Sequence, residues 1–390
     1  MKIPFFEGEL IRSSTLVLIS AISSSLIALL ANLVISNSLG PNYFGDFKTI
    51  IYLFAFLPML IDFGINASLT KYVAELRSKE KRVYMIRWFL KIKLLSYVFL
   101  IALLFLVKDY IALYFLDNVT LSYLILAGIF LTASNFFSAF SFIVLGIQNF
   151  KIYSLSQFFI ASLSPILAVL MSSLGIFYMI IGWGLGIIIG NLPNLLFLIR
   201  NEFLKSQEQF DVKKIFFRFS LPIYPIELTV AFVNSVVPLL SLFFSQYLIS
   251  YYSFAFMFYV ASLLIPNSLS LVLFPKFSEL NGLENYSEAK NILRKSLMYY
   301  SFIVIIGLIS VYLFSELFIG FLAKEYLPST FMFKAIVSLG IVLGYPVIYS
   351  NYLKGLGKVK KYALIVFLQN LLLIAVSFIL LTSMTGLLLK

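Results

Sequence analysis

What most constrains this chain is an apolar stretch that keeps returning. Residues 13–36 carry no charge. A helix of about 20 such residues crosses the core of a lipid bilayer. Comparable runs follow near 48–70, 94–115, 121–145, 152–173, 176–199, 220–243, 249–274, 297–318, 331–353 and 362–383. Run length selects helices, because barrel strands would alternate over segments of about ten residues. Hydrophobic residues make up 61% of the chain and charged residues 12%, half the charged share of an ordinary soluble domain. The 42 Phe and 24 Tyr suit lipid-facing surfaces and interfacial belts. The sequence therefore predicts an all-α polytopic membrane protein of about eleven transmembrane helices.

The chain has no cysteine and no histidine. It has no thiol nucleophile or thiolate ligand, and it lacks the usual near-neutral acid–base residue. Membrane enzymes built on such chemistry are excluded, and no metal site is expected. The opening MKIPFFEGELIRSS is basic like a signal peptide. The apolar run behind it is too long for a cleaved h-region, so we read it as a short tail.

Basic residues set the expected orientation. With the N-terminus in the cytoplasm, inner segments hold 24 Lys and Arg, eight of them in residues 71–93. The outer side holds only Lys48, Lys108, Lys324 and Lys334. Such an asymmetry is the positive-inside pattern. The net charge of +12 is then topology, with some attraction to anionic lipid, and no nucleic-acid partner is expected.

An internal repeat organises the spans. GIQNFKIYSL at 146–155 aligns with GLGKVKKYAL at 355–364, KYVAEL at 71–76 with PKFSEL at 275–280, and FGDF at 44–47 with YYSF at 251–254. Matches in order at nearly constant spacing predict two six-helix copies in the same orientation. The N-terminal lobe is expected over 1–206. The C-terminal lobe is expected over 207–390, with helices 7–11 and the start of a twelfth. The second copy is short of its last helix, and the sequence reading favours truncation over a native short form.

The polar stretch SNSLGPNYFGDFKTI at 36–50, between the first two spans, precedes LIDFGINASLTKYVAEL at 60–76. Leu39, Gly40, Pro41, Tyr43, Phe44, Gly45 and Phe47, then Asp62, Gly64, Ala67, Lys71, Tyr72, Ala74 and Glu75, resemble the polysaccharide transporter, or O-antigen flippase, family. That family lies within the multidrug/oligosaccharidyl-lipid/polysaccharide flippase superfamily. The resemblance implies two lobes around a central cavity lined mainly by helices 1, 2, 7 and 8. It implies a plasma-membrane flippase, not an enzyme, that moves a polyprenyl-pyrophosphate-linked oligosaccharide to the outer leaflet by alternating access. Membrane lipids, a polysaccharide polymerase or glycosyltransferases are the partners it suggests, and Na⁺ or H⁺ the coupling ion, with no other cofactor. Members have twelve to fourteen helices. The stretch at 36–50 is expected to be a hairpin cap with aromatics at the interface.

Charge within a span costs about 2.5–3.5 kcal/mol even on a lenient scale, which singles out Asp62 and Glu227. On walls that the resemblance assigns to the cavity, either could bind Na⁺ or exchange a proton. Asp62, with Pro58 before it and Gly64 after, could equally cap a broken helix. Glu227, after Pro222 and Pro225, could simply be hydrated. Arg87 and Lys91 share a helix face, and Arg294 lies 207 residues beyond Arg87. These cations suit a pyrophosphate at the cytoplasmic mouth, or plain positive-inside anchoring. No cation is expected at mid-membrane. Sugar contacts would fall to Asn32, Asn66, Asn234 and Asn267, which could otherwise glue helices together.

The expected function is flipping of lipid-linked repeat units. A multidrug or small-solute cation antiporter is the alternative, but it calls for acids grouped in one lobe, whereas Asp62 and Glu227 fall in different sequence lobes. An inactive scaffold for envelope assembly is a third reading. A glycosyltransferase ranks last, since the outer-loop carboxylates are scattered.

Overall fold

The computed structural model describes residues 4–76, 78–116, 121–201, 203 and 211–388. Side chains are described from Ile19 onward, apart from positions 226, 230, 231, 233, 234, 271, 272, 275, 278, 279, 282, 359 and 385–388. Among these residues the regular structure is helical: α1 (Pro4–Leu60), α2 (Ile65–Glu75), α3 (Lys79–Phe115), α4 (Ser122–Asn135), α5 (Ser138–Gly146), α6 (Phe150–Leu170), α7 (Ile176–Arg200), α8 (Val212–Ile215), α9 (Leu221–Ala231), α10 (Val236–Ser241), α11 (Gln246–Ser262), α12 (Leu264–Gly282), α13 (Tyr286–Leu322), α14 (Thr330–Gly355) and α15 (Val359–Leu388). Nine described stretches are long and apolar enough to cross a membrane. One of them, Ile19–Leu60, is 42 residues long and takes in most of the first expected span and much of the second.

Two expectations need correction. The polar stretch at 36–50 joins two helices across a break, but its phenylalanines are not interfacial. It runs inside α1, broken only at Gly40 (φ 60°, ψ 179°), and Pro41 follows at a helix start, where its missing N–H costs nothing. Phe44 and Phe47 are fully buried, not interfacial. The seventh span is also not one helix. It is α8, a π-turn at Phe216–Ser220, α9, a 3₁₀ turn at Phe232–Ser235, and α10. Pro222, Pro225 and Pro238 each remove a backbone donor, and this run fragments accordingly.

The repeat has a structural counterpart. Helices α3 and α13 are both 37 residues long, and their ends are offset by 207 positions. Each opens on a side-chain cap, Ser78 accepting from the Lys81 amide and Asn285 from the Glu288 amide. Left-handed residues Gln148 (φ 64°) and Gly357 (φ 71°) sit 209 apart, just before α6 and α15.

By packing, the chain groups into two units. One holds the residues up to Ala31 together with Phe47–Leu242, the other Asn32–Asp46 together with Phe243 onward. This grouping follows contacts, whereas the 206/207 division follows the repeat, so residues 212–242 pack with the first unit although the repeat counts them in the second lobe.

In the first unit, α7 is the hub, lying against α4, α5 and α6. A Cβ on Gly182, Gly186 or Gly190 would strike the backbone of Leu167, Ser164 or Ile160, so the four-residue glycine spacing lets α6 and α7 approach closely. On α2, Ile65, Leu69 and Val73 are fully buried, one amphipathic face packed with Phe89, Ile143 and Val144. In the second unit, α14 is the hub, against α11, α12, α13 and α15. Tyr326 stacks on Phe254 at 4.4 Å and bonds the Ser36 carbonyl at 3.1 Å. Phe44 meets the same tyrosine edge-on, which explains its burial.

Candidate functional site: a buried ion pair at a helix break

Helix α1 stops at Leu60, shortly after Pro58, and four residues intervene before α2. The first two make only long turn bonds, Ile61 to the Pro58 carbonyl and Asp62 to the Met59 carbonyl, each 3.4 Å. Phe63 (φ 49°) and Gly64 (φ 71°) are then both left-handed. That conformation costs a non-glycine residue about 1–2 kcal/mol, so neighbours must hold it. Tyr224 donates to the Leu60 carbonyl at 2.5 Å, and its ring packs on Phe63 at 5.7 Å. Gly64 lies so close to the Ser220 carbonyl that a Cβ would collide with it, and Ser68 and Ser220 share a hydrogen bond of 2.5 Å. The break is thus clamped against the π-turn and α9.

Asp62 sits in this break with two tasks. Its Oδ2 accepts the Asn66 amide at 3.1 Å, satisfying one of the free donors in the first turn of α2. Its Oδ1 accepts from Lys93 Nζ at 2.8 Å. The same ammonium donates to Asn66 Oδ1 at 2.7 Å and lies 5.9 Å from the Tyr97 ring centre. The Lys93 side chain is 1% exposed and that of Asp62 10%. Glu227 of α9, half-buried, lies within electrostatic reach of both. Asp62, Asn66, Lys93 and Glu227 all belong to the first unit, so the acids are not separated as the repeat suggested.

Lys93 is buried within the first unit, which the sequence did not announce. Lys93 had been counted with the basic residues of 71–93, as if that segment were aqueous. Because α3 is continuous from Lys79, Lys91 and Lys93 stand about 200° apart around it, and only Lys91 faces outward. Phe89, Lys93, Tyr97, Leu100 and Leu104 form the buried stripe of α3, and their spacing of three and four was the available signal. Lys48 is buried too. It is 3% exposed within α1, 5.6 Å from the Trp183 ring.

The other candidates lie elsewhere. Arg87 and Lys91 are exposed on α3, on a stripe that continues through exposed Leu94, Leu95 and Val98. Arg294 is exposed on α13 of the second unit, in line with exposed Met298, Tyr299 and Phe302. Of the four amides only Asn66 joins the cluster. Asn32 is buried and Asn267 exposed, both in the second unit, and the Asn234 side chain lies outside the described residues. Sequence reasoning also missed a polar knot in the first unit. There Asn194 donates to Ser141 at 2.8 Å, and Ser141 donates to Asn191 at 2.9 Å.

The arrangement can hold a single positive charge deep in an apolar fold, tied to the geometry of a helix break. Lysine fills that place here. The repeat puts Tyr300 of α13 at the position of Lys93, and its hydroxyl bonds the Ile341 carbonyl at 2.7 Å, so the ionic version belongs to one copy only.

No curated protein sequence matches the chain. Among solved structures, one of the lipid II flippase MurJ in an inward closed conformation superposes with a TM-score of 0.71 at 16% identity, covering 95% of this chain and 87% of that one. An inward-facing multidrug resistance transporter of the MATE family in the MOP superfamily gives 0.60 at 15% identity, covering 95% and 98%. The MATE transporter VcmN of Vibrio cholerae, in its bent form, gives 0.54 at 11% identity, covering 95% and 96%. At such identities these likenesses establish the fold. Across residues 10–281 the sequence matches the family described as polysaccharide biosynthesis protein, and with that match over more than two-thirds of its length, this multi-pass membrane chain belongs to that family.

Proposed function

We propose that this protein is a membrane flippase for lipid-linked oligosaccharide or polysaccharide repeat units, and not an enzyme. It carries a polyprenyl-pyrophosphate-linked glycan from the cytoplasmic to the outer leaflet of the plasma membrane by alternating access. The observation that carries the reading is the charged cluster of Asp62, Asn66 and Lys93, buried at a helix break in a fold shared with a lipid II flippase. Buried charge in a membrane protein is costly and marks function by default. Membership of a polysaccharide biosynthesis family supports a glycan cargo, and the asymmetry of Lys and Arg supports a cytoplasmic N-terminus. A polymerase or glycosyltransferases would supply and consume the cargo.

In this reading Na⁺ or H⁺ couples transport at Asp62, and Lys93 is the tethered cation that the ion must displace. Arg87, Lys91 and Arg294 meet the pyrophosphate at the inner mouth. Cation antiport of a small solute is the second reading, favoured by one observation: Asp62 and Glu227 share a unit.

Leaflet accessibility in cells tests the proposal. Cells depleted of the protein should accumulate lipid-linked repeat units shielded from a membrane-impermeant sugar oxidant. Unchanged exposure of those units, with raised sensitivity to cationic drugs, would overturn flipping in favour of antiport.

A further inference from the structure

The charged cluster does not balance. Two carboxylates, Asp62 and Glu227, share one ammonium, that of Lys93, so the group carries one negative charge in excess. Lys93 is engaged with Asp62 at 2.8 Å and with Asn66 at 2.7 Å. Glu227 is half-buried, and Asp62 and Lys93 both lie within its electrostatic reach. Among the described residues its carboxylate makes no hydrogen bond or ion pair.

The fold fixes where Glu227 stands. Tyr224 and Glu227, three apart, share one face of α9. Tyr224 is fastened to the break by its bond to the Leu60 carbonyl and its packing on Phe63. Further along, Phe232 meets Phe56 of α1 at 6.3 Å. Glu227 therefore lies between two fixed contacts along the last turns of α1, on the face turned toward the break. The other titratable side chains at the cluster are phenols: Tyr97 beside the ammonium, and Tyr224, whose hydroxyl is committed to Leu60.

A cation arriving at Asp62 evens the charge count but evicts the ammonium. Two positive charges on one carboxylate repel, and a protonated carboxyl no longer attracts one. An ammonium left without an anion in an apolar interior is strongly unfavourable. The four-carbon stem of lysine is flexible and its head has three donors. Nζ can thus turn to a second carboxylate while its backbone stays in α3.

We propose that Glu227 is a second seat for Lys93: the ammonium pairs with Asp62, as here, and moves to Glu227 when a cation takes Asp62. Cation binding at the break is thereby passed to α9 as a new ion pair. Glu227 acts through Lys93 and is a positioning residue, not a ligand of the cation. The inference rests on the proposed displacement of Lys93 from Asp62.

Asp62→Asn imitates an occupied Asp62, because it removes the negative charge and keeps an oxygen to cap α2. In the crystal structure of that variant Lys93 Nζ should lie within hydrogen-bond distance of a Glu227 carboxylate oxygen. An ammonium still at position 62 would overturn the proposal. Unfolding in dodecyl sulfate micelles, followed by tryptophan fluorescence, gives the energetic test. Asp62→Asn and Glu227→Gln each leave the ammonium one anion, whereas the double variant leaves it none. The double variant should unfold about thirtyfold more readily than the product of the single effects, on the scale of directly coupled residues. Adding Lys93→Met removes the stranded charge and should recover most of that loss, which a merely structural role for Glu227 would not do. Independent single effects, or no recovery with Lys93→Met, would overturn the second seat. Should the double variant fail to fold, the structure of Asp62→Asn decides alone. Neither measurement involves a lipid cargo, so a failure of the flippase reading would leave both standing, and flipping would survive theirs.

Discussion

Replacing Lys93 by methionine isolates the part of the site that sequence reasoning missed. The change keeps the length and most of the volume of the side chain and removes its charge. At 2.8 Å from Asp62, the ammonium contributes an attraction of about 6 kcal/mol at an effective dielectric near 20. Burying the two charges costs several kcal/mol each, so the intact pair is close to neutral in net stability. Removing one partner is another matter, because it strands the other, and the cost is about 3–5 kcal/mol. Lys93→Met should therefore destabilise the protein by about that amount. Asp62→Asn keeps an oxygen to cap α2 and so reports mainly the charge. The double variant Asp62→Asn/Lys93→Met should be more stable than Lys93→Met alone, with a coupling energy of at least about 2 kcal/mol. Unfolding in mixed detergent–dodecyl sulfate micelles, followed by tryptophan fluorescence, gives these values. Both tryptophans, Trp88 and Trp183, lie in the first unit, so the signal reports on the right half. A cost below about 1 kcal/mol for Lys93→Met, or strictly additive effects, would refute an ion pair that restrains the break.

Other predictions concern neighbouring residues. Gly64→Ala puts a Cβ into the Ser220 carbonyl at a left-handed φ of 71°, so it should cost about 1–3 kcal/mol in the same unfolding assay, and a neutral result would mean that the clamp yields. Arg87→Ala and Arg294→Ala remove exposed cations, so each should shift stability by less than about 1 kcal/mol. If they hold pyrophosphate, each should weaken binding of the lipid pyrophosphate to the purified protein about tenfold or more, on the scale of a charged hydrogen bond. Unchanged binding would leave them as headgroup anchors.

How much was legible in the sequence depended on whether the signal was local. The long apolar runs made the membrane class plain, and the repeat surfaced in the paired helices α3 and α13. Asp62 stood out because a charge in an apolar run is rare. Lys93 is as deeply buried, but it sits two residues from Lys91 in a basic stretch, and a count by segment hides what a helical period reveals. The stretch around Gly40 has the composition of a turn, yet a single residue takes the break and the chain resumes as helix. Its burial is set by Ser250 and Tyr326, more than 200 residues away: Gly45 donates to Ser250 at 2.6 Å and Phe44 packs on Tyr326. No local pattern announces partners so distant. The prolines of the seventh span were visible, but where the helix would fragment depended on its packing against the α1–α2 break.

Flipping of a lipid-linked glycan, coupled to a cation at Asp62, is the proposed activity. Sealed proteoliposomes carrying a fluorescent polyprenyl-pyrophosphate oligosaccharide in one leaflet test it most directly, with an impermeant quencher outside and an imposed Na⁺ or proton gradient. Flipping should exceed that of empty liposomes and be faster with one of the gradients, and Asp62→Asn should lose that gradient dependence. Transfer no faster than in empty liposomes under either gradient would contradict the flippase, and unaltered gradient dependence in Asp62→Asn would remove the ion from Asp62.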